Sequence, residues 1–157
     1  MTYDELLIQA NLEGLKVKEK SLQSGDGRIF NNRIAIRRDI KTTIEKSCVL
    51  AEEIGHYRTG SGDITRLDTI SDQKQEYRAR MVGYDIKIGL SGIICAFEKG
   101  VRSKAEMADY LDVTEEYLTD ALDSYRKKYG KYVSFENYTI FFEPYFAVCK
   151  AFEDFTD

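Results

Sequence analysis

Residues 42–60 read TTIEKSCVLAEEIGHYRTG, a stretch with a helix start at one end and a helix stop at the other. Thr42-x-x-Glu45 has capping-box spacing, in which the threonine hydroxyl caps the Glu45 amide and the glutamate returns to the threonine amide, so a helix begins at Thr42. It ends before Gly60-Ser61-Gly62, where glycine accepts the backbone conformation that stops a helix. Between these points Ile44, Cys48, Ala51 and Gly55 fall on one side, and Leu50, Ile54 and Tyr57 on another, leaving little purely polar surface. A helix covered on two sides belongs at the centre of the fold.

Toward the N-terminus, Tyr3 to Glu13 reads as a helix ended by Gly14, followed by a strand over Leu15 to Lys20. Gly25-Asp26-Gly27 is a turn. Arg28 to Phe30 and Arg33 to Ile36 then flank Asn31-Asn32, a pair tolerant of positive φ, which predicts a hairpin within a small antiparallel sheet. Toward the C-terminus the pattern is helical. A helix starts at about Asp72, with Gln75 as its capping partner, and runs to about Ile88; Ser91 to Lys99, Ser103 to Leu111 and Thr114 to Tyr129 follow, with Gly100 and Gly130 as stops. Tyr132 to Phe135 and Tyr138 to Phe142 change to strand character around Glu136-Asn137, predicting a terminal hairpin with Tyr145 to Phe152 packed back on the body. Tyr132, Phe135, Tyr138, Phe141 and Phe142 are expected in its core. The fold class is α+β. It divides into a sheet-and-helix region (1–89), a helical region (90–130) and a hairpin with tail (131–157), forming one compact unit with no internal repeat and a single proline, Pro144.

At 157 residues, 43% hydrophobic and 32% charged, the chain has the composition of a self-folding domain rather than of a disordered segment. No stretch approaches the roughly 20 apolar residues that span a bilayer, and the N-terminus carries Asp4 and Glu5 rather than a basic, apolar leader, so a cytoplasmic protein without membrane contact is expected. The net charge of −4 gives no general attraction to polyanions. Cys48, Cys95 and Cys149 are far apart and odd in number, and each lies in an apolar segment, which predicts three buried reduced thiols and no cysteine zinc site.

Glu52-Glu53-Ile54-Gly55-His56 has the frame of the H-E-x-x-H zinc motif with a glutamate in the first position. On a helix, Glu52 and His56 share a face and could hold one metal ion, with Glu53 beside them. His56 is the only histidine, so neither three histidines nor two histidines and a carboxylate can be assembled within the chain. Any metal needs carboxylates. Glu76 is the best third ligand: it shares a helix face with Ala79 and Gly83, and a glycine in a helix, costing about 1 kcal/mol against alanine, marks a close helix contact. The resulting set is Glu52, His56 and Glu76 as ligands, with Glu53 as general base for peptide hydrolysis. The alternative is a charged helix carrying a partly buried histidine.

The segments CVLAEEIGH (48–56), QEYRAR (75–80) and AEMADYLDVTEE (105–116) together resemble the ImmA/IrrE family of metallopeptidases, over a span from Met1 to about Gly130. The resemblance implies a minimal zincin-like fold, often encoded by phages and mobile elements, whose members cleave or inactivate a transcriptional repressor. It matches Glu53 to the family's catalytic glutamate, His56 to the second motif histidine and Glu76 to the acidic ligand of an E-x-x-A segment. Glu52 departs from the usual first histidine. The cofactor implied is zinc, but a Glu-His-Glu set is harder than His-His-Glu, so manganese competes, and an empty, inactive site is the alternative.

Ser103 to Arg126 has helix-turn-helix spacing, with Ala108 packed in the first helix, an Asp112-Val113 turn and Thr114 capping the second. Glu115, Glu116, Asp120 and Asp123 on the second helix oppose phosphates, so packing or partner docking is expected there rather than DNA binding. Arg28, Arg33, Arg37 and Arg38 form a basic hairpin, either a contact surface or a solvated face. The sequence therefore supports a metal-dependent peptidase acting on a protein such as a repressor. Its rivals are a catalytically silent member that works by protein binding and a helix-turn-helix DNA regulator.

Overall fold

In the computed structural model, which describes residues 1–60 and 69–151, the chain runs through α1 (Tyr3–Leu12), β1 (Lys16–Lys20), β2 (Gly27–Phe30), β3 (Arg33–Arg37), α2 (Thr43–Thr59), α3 (Ile70–Lys87), α4 (Gly89–Glu98), α5 (Lys104–Leu111), α6 (Glu115–Tyr129), β4 (Tyr132–Phe135), β5 (Tyr138–Phe141) and β6 (Ala147–Lys150). The architecture is α+β. The Thr42 box is made: its hydroxyl accepts the Glu45 amide at 3.1 Å and the Glu45 carboxylate accepts the Thr42 amide at 3.0 Å. Gly60, at φ +72°, ends the helix.

The hairpin at Asn31-Asn32 forms with Phe30 opposite Arg33 and Asn31 at φ +52°. Because β2 takes one edge of β3, β1 pairs along the other, and it runs parallel to β3 with Lys16 opposite Arg33. The sheet, ordered β1-β3-β2, is thus mixed, its antiparallel part being the hairpin. Leu15 is buried just ahead of β1 rather than within it. Ile29, Ile34 and Ile36 point inward onto Leu50, Ala51 and Ile54 of α2, with Leu6 and Ala10 of α1 in the same cluster.

The other side of α2 meets α3. That helix begins at Ile70, earlier than expected, because Thr69 rather than Asp72 is the cap: Thr69 accepts the Asp72 amide at 3.1 Å, and the Asp72 carboxylate accepts the Thr69 amide at 3.1 Å. The shorter aspartate does the work expected of a glutamate or glutamine. Of the connection expected from Gly60 to Ser71, residues 61–68 lie outside the described part. α3 breaks at Ile88, and α4 starts at Gly89, two residues ahead of Ser91.

A second core cluster joins Cys48 of α2 and Met81 and Tyr84 of α3 to Ile93, Leu118, Tyr125, Ile140 and Phe142. The terminal hairpin turns at Glu136-Asn137 as expected, with Glu136 at φ +55°. Ala147–Lys150 adds a third strand beside β5, Tyr138 opposite Lys150; Phe152, at the end of the expected tail, lies outside the described residues. Only part of the expected aromatic core is buried. Tyr138 and Phe142 are inside, whereas Tyr132 and Phe135 of the edge strand β4 are exposed at 59% and 38%. The cysteine expectation also needs correcting: all three thiols are free, but only Cys48 is buried. Cys95 lies off the Ile93–Ile94–Ala96 face that α4 buries, and Cys149 lies on the outer strand β6. No helix among the described residues is long and apolar enough to cross a membrane.

Candidate metal centre

Glu52 and His56, four residues apart on α2, project from one face of the helix. Glu76 arrives from the neighbouring helix because the two backbones touch. A Cβ on Gly55 would lie 2.1 Å from the Ala79 carbonyl oxygen, and one on Gly83 would lie 3.2 Å from the Ala51 carbonyl oxygen. The sequence points to Gly83 as the site of close approach; the structure adds Gly55 as the tighter of the two. Ala79 is one turn beyond Glu76, so this contact carries the Glu76 carboxylate to the α2 face.

His56 Nε2 lies 3.4 Å from Glu76 Oε2. One ligand atom each from Glu52, His56 and Glu76 can be chosen so that all lie within 4.8 Å of one another. Bonds of about 2.1 Å in tetrahedral geometry need ligand atoms roughly 3.4 Å apart, so side-chain rotation of about an ångström closes the set. The donors, one imidazole and two carboxylates, fit a divalent ion of borderline to hard character. The three residues chosen from the sequence therefore come together.

Glu53, on the adjacent face of α2, is buried against β2. A Cβ on Gly27 would come within 2.6 Å of Glu53 Oε1, so the glycine makes room for that carboxyl. Burial first, and then the charges of Glu52 and Glu76, push the Glu53 carboxyl up to about 8, with Arg28 opposing. Glu52 is also shifted upward, chiefly by burial, although Arg80 pulls the other way.

Arg80 belongs to this cluster and is absent from the set read from sequence. Its Nε lies 2.9 Å from Glu76 Oε1 and 3.3 Å from Glu52 Oε1. The signal for the first contact is present in QEYRAR, where glutamate precedes arginine by four residues on a helix. The second depends on the packing of two helices. A groove of about 680 Å³ runs past Glu52, bordered by Asp39, Lys41, Cys48, Thr114, Tyr117 and Asp120. Among the described residues, the buried Tyr117 hydroxyl has no hydrogen-bond partner.

The helical pair expected over Ser103 to Arg126 is present, with Ala108 and Val113 buried. Two acids of its second helix, Glu116 and Asp120, border the same groove. The basic hairpin is split. Arg37 pairs with Asp26 at 2.6 Å and Asp39 at 3.1 Å, and Arg38 donates to the Glu19 carbonyl at 3.4 Å. Arg28 and Arg33 instead share the exposed outer face of the sheet with Lys16, Lys18 and Lys20.

No curated protein and no solved structure matches the chain. A known family does, over residues 5–123, a span that contains α2, α3 and all four residues of the candidate centre. By that match, the chain belongs to the family described as Peptidase_M78, IrrE N-terminal-like domain, a family of metallopeptidase type.

Proposed function

We propose that the protein is a metal-dependent endopeptidase that cleaves a regulatory protein, a transcriptional repressor, in the cytoplasm. The observation that carries this reading is the convergence of Glu52, His56 and Glu76 from two helices, with the buried Glu53 carboxyl next to them. Glu52, His56 and Glu76 would hold the ion, zinc or, given two carboxylates, manganese. When bound, such an ion supplies Lewis acidity, polarising a peptide carbonyl and making hydrolysis feasible near neutral pH.

The protein's own residues do the rest. Glu53 lies beside the ligand set and, as the carboxylate, can take a proton from the attacking water as the C–O bond forms and then deliver it to the amine nitrogen as the C–N bond breaks. The groove lined by Glu52, Thr114 and Tyr117 would offer an extended segment a place to lie beside that ligand. The Glu53 methylenes and Val49 sit against Gly27, which limits access of bulk water to the carboxyl from the sheet side.

The test is metal content per chain by mass spectrometry on protein purified without added metal or chelator. Wild type should carry about one equivalent, His56→Ala and Glu76→Ala should carry none, and Glu53→Gln should keep the metal while losing cleavage of a co-expressed repressor. A wild-type protein that takes up neither zinc nor manganese would overturn the reading and favour a member that acts by binding its partner.

A further inference from the structure

Arg80 stands between the two carboxylates of the candidate centre, 3.3 Å from Glu52 Oε1 and 2.9 Å from Glu76 Oε1, while His56 faces the other oxygen of Glu76 at 3.4 Å. Its side chain is 52% exposed, and among the described residues its ion pairs are with these two carboxylates. The charge count gives the reason a cation is wanted there. An H-E-x-x-H frame with one further glutamate presents two neutral imidazoles and one carboxylate, which with a divalent ion sum to +1. With Glu52 in the first position, two carboxylates, neutral His56 and a divalent ion sum to zero. Without the ion the two carboxylates sum to −2, and Arg80 brings this to −1, so it fills part of the cation's place in the metal-free site.

We propose that Arg80 is a built-in counter-cation of this centre, competing with a divalent metal ion for Glu52 and Glu76 and thereby setting the metal affinity. The inference rests on the metal-centre reading above. A guanidinium stays charged at any accessible pH, so it cannot yield the carboxylates by losing a proton, as a histidine could. A metal ion must draw on the same two groups while lying within a few ångströms of a like charge, in a site partly shielded from water. A surface ion pair without this role would contribute little and leave metal binding unchanged.

The experiment is a zinc titration of the full chain against a chromophoric chelator, for wild type, Arg80→Gln and Arg80→Lys, paired with the melting temperature of each after chelation. Removing the charge should tighten zinc binding about tenfold or more, and should lower the melting temperature of the chelated protein, because Glu52 and Glu76 then face each other uncompensated. Arg80→Lys keeps the charge and should stay close to wild type in affinity. An Arg80→Gln affinity within about threefold of wild type would reduce Arg80 to a surface ion pair and overturn the inference, as would weaker binding, which would make Arg80 a support for the ligands. Zinc bound by neither wild type nor variant would overturn the metal-centre reading as well; zinc bound equally by both overturns only the role of Arg80.

Discussion

At Gly55 the main chain of one helix meets the main chain of the next, and no side chain can move aside to relieve a clash. An added methyl would sit 2.1 Å from the Ala79 carbonyl oxygen, whereas at Gly83 the nearest atom is 3.2 Å away. Gly55→Ala should therefore force α2 and α3 apart and cost about 2–3 kcal/mol, and Gly83→Ala about 1 kcal/mol or less, read from denaturant unfolding. Because Glu76 travels with Ala79, Gly55→Ala should also weaken zinc uptake more than its stability loss alone predicts. Equal melting temperatures for the two variants would show that the helices have slack the structure does not reveal. The same comparison shows what was legible at this scale. Glu52, Glu53 and His56 follow from helical spacing, and Glu76 from the small-residue face it shares with Gly83. The second contact of Arg80, to Glu52, is a meeting of two elements, which the periodicity of neither one encodes.

Two ion pairs pin the first elements to the motif helix. Glu13, at the end of α1, accepts from Arg58 near the C-terminus of α2, and Glu19 of β1 accepts from Lys46 near its N-terminus at 2.7 Å and from Tyr3 of α1 at 3.2 Å. The Arg58 hydrogen bonds hold the Glu13 carboxyl below its ordinary 4.5, and the Lys46 hydrogen bond does the same for Glu19. Between the folded and unfolded values the unfolded chain binds more protons. The stabilisation is therefore complete above about pH 4.5 and is lost as pH falls through the folded values below it. Both pairs are partly exposed, so each should be worth about 0.5–1 kcal/mol. Hydrogen exchange of α1 should accelerate below pH 4.5 ahead of α2, and Glu13→Gln with Glu19→Gln should remove that acid sensitivity; an α1 that loosens at the same pH in the double variant would count against it. Helices were readable because Thr42 and Ser103 mark their starts chemically. Strand partners were not: alternation puts Lys16, Lys18 and Lys20 on one face but does not say that β1 lies parallel to β3, and β6 is four residues with no alternation in burial strong enough to announce a strand.

Both core clusters draw on α2, which gives Leu50, Ala51 and Ile54 to one and Cys48 to the other, and this is why a stretch covered on two sides could stand at the centre of the sequence reading. Polar contacts join the halves as well, among them Tyr125 donating to Asp85 at 2.9 Å and a buried lysine. Lys87, at the end of α3, has a fully buried side chain whose Nζ donates to Ser47 Oγ of α2 at 2.8 Å and to the Met1 carbonyl, and lies 3.4 Å from Asp112 in the α5–α6 turn. Burial lowers its pKa, with Asp112 among the charges that oppose the shift. A lysine placed where desolvation disfavours its charge persists because its donors are used by three separate parts of the chain. Lys87→Met keeps the length and removes the donors. It should cost about 2 kcal/mol, since Ser47 can still donate to the Ile44 carbonyl at 2.7 Å and Asp112 is open enough to be hydrated. The loss should be distributed: hydrogen exchange should rise together at the start of α1 and in the α5–α6 turn, two segments that do not adjoin in sequence. Asp112→Asn, which weakens only the longest of the contacts, should cost under about 1 kcal/mol and loosen the turn alone. If Lys87→Met speeds exchange only within α3, the lysine is a local feature of that helix, and the two halves are held together without it.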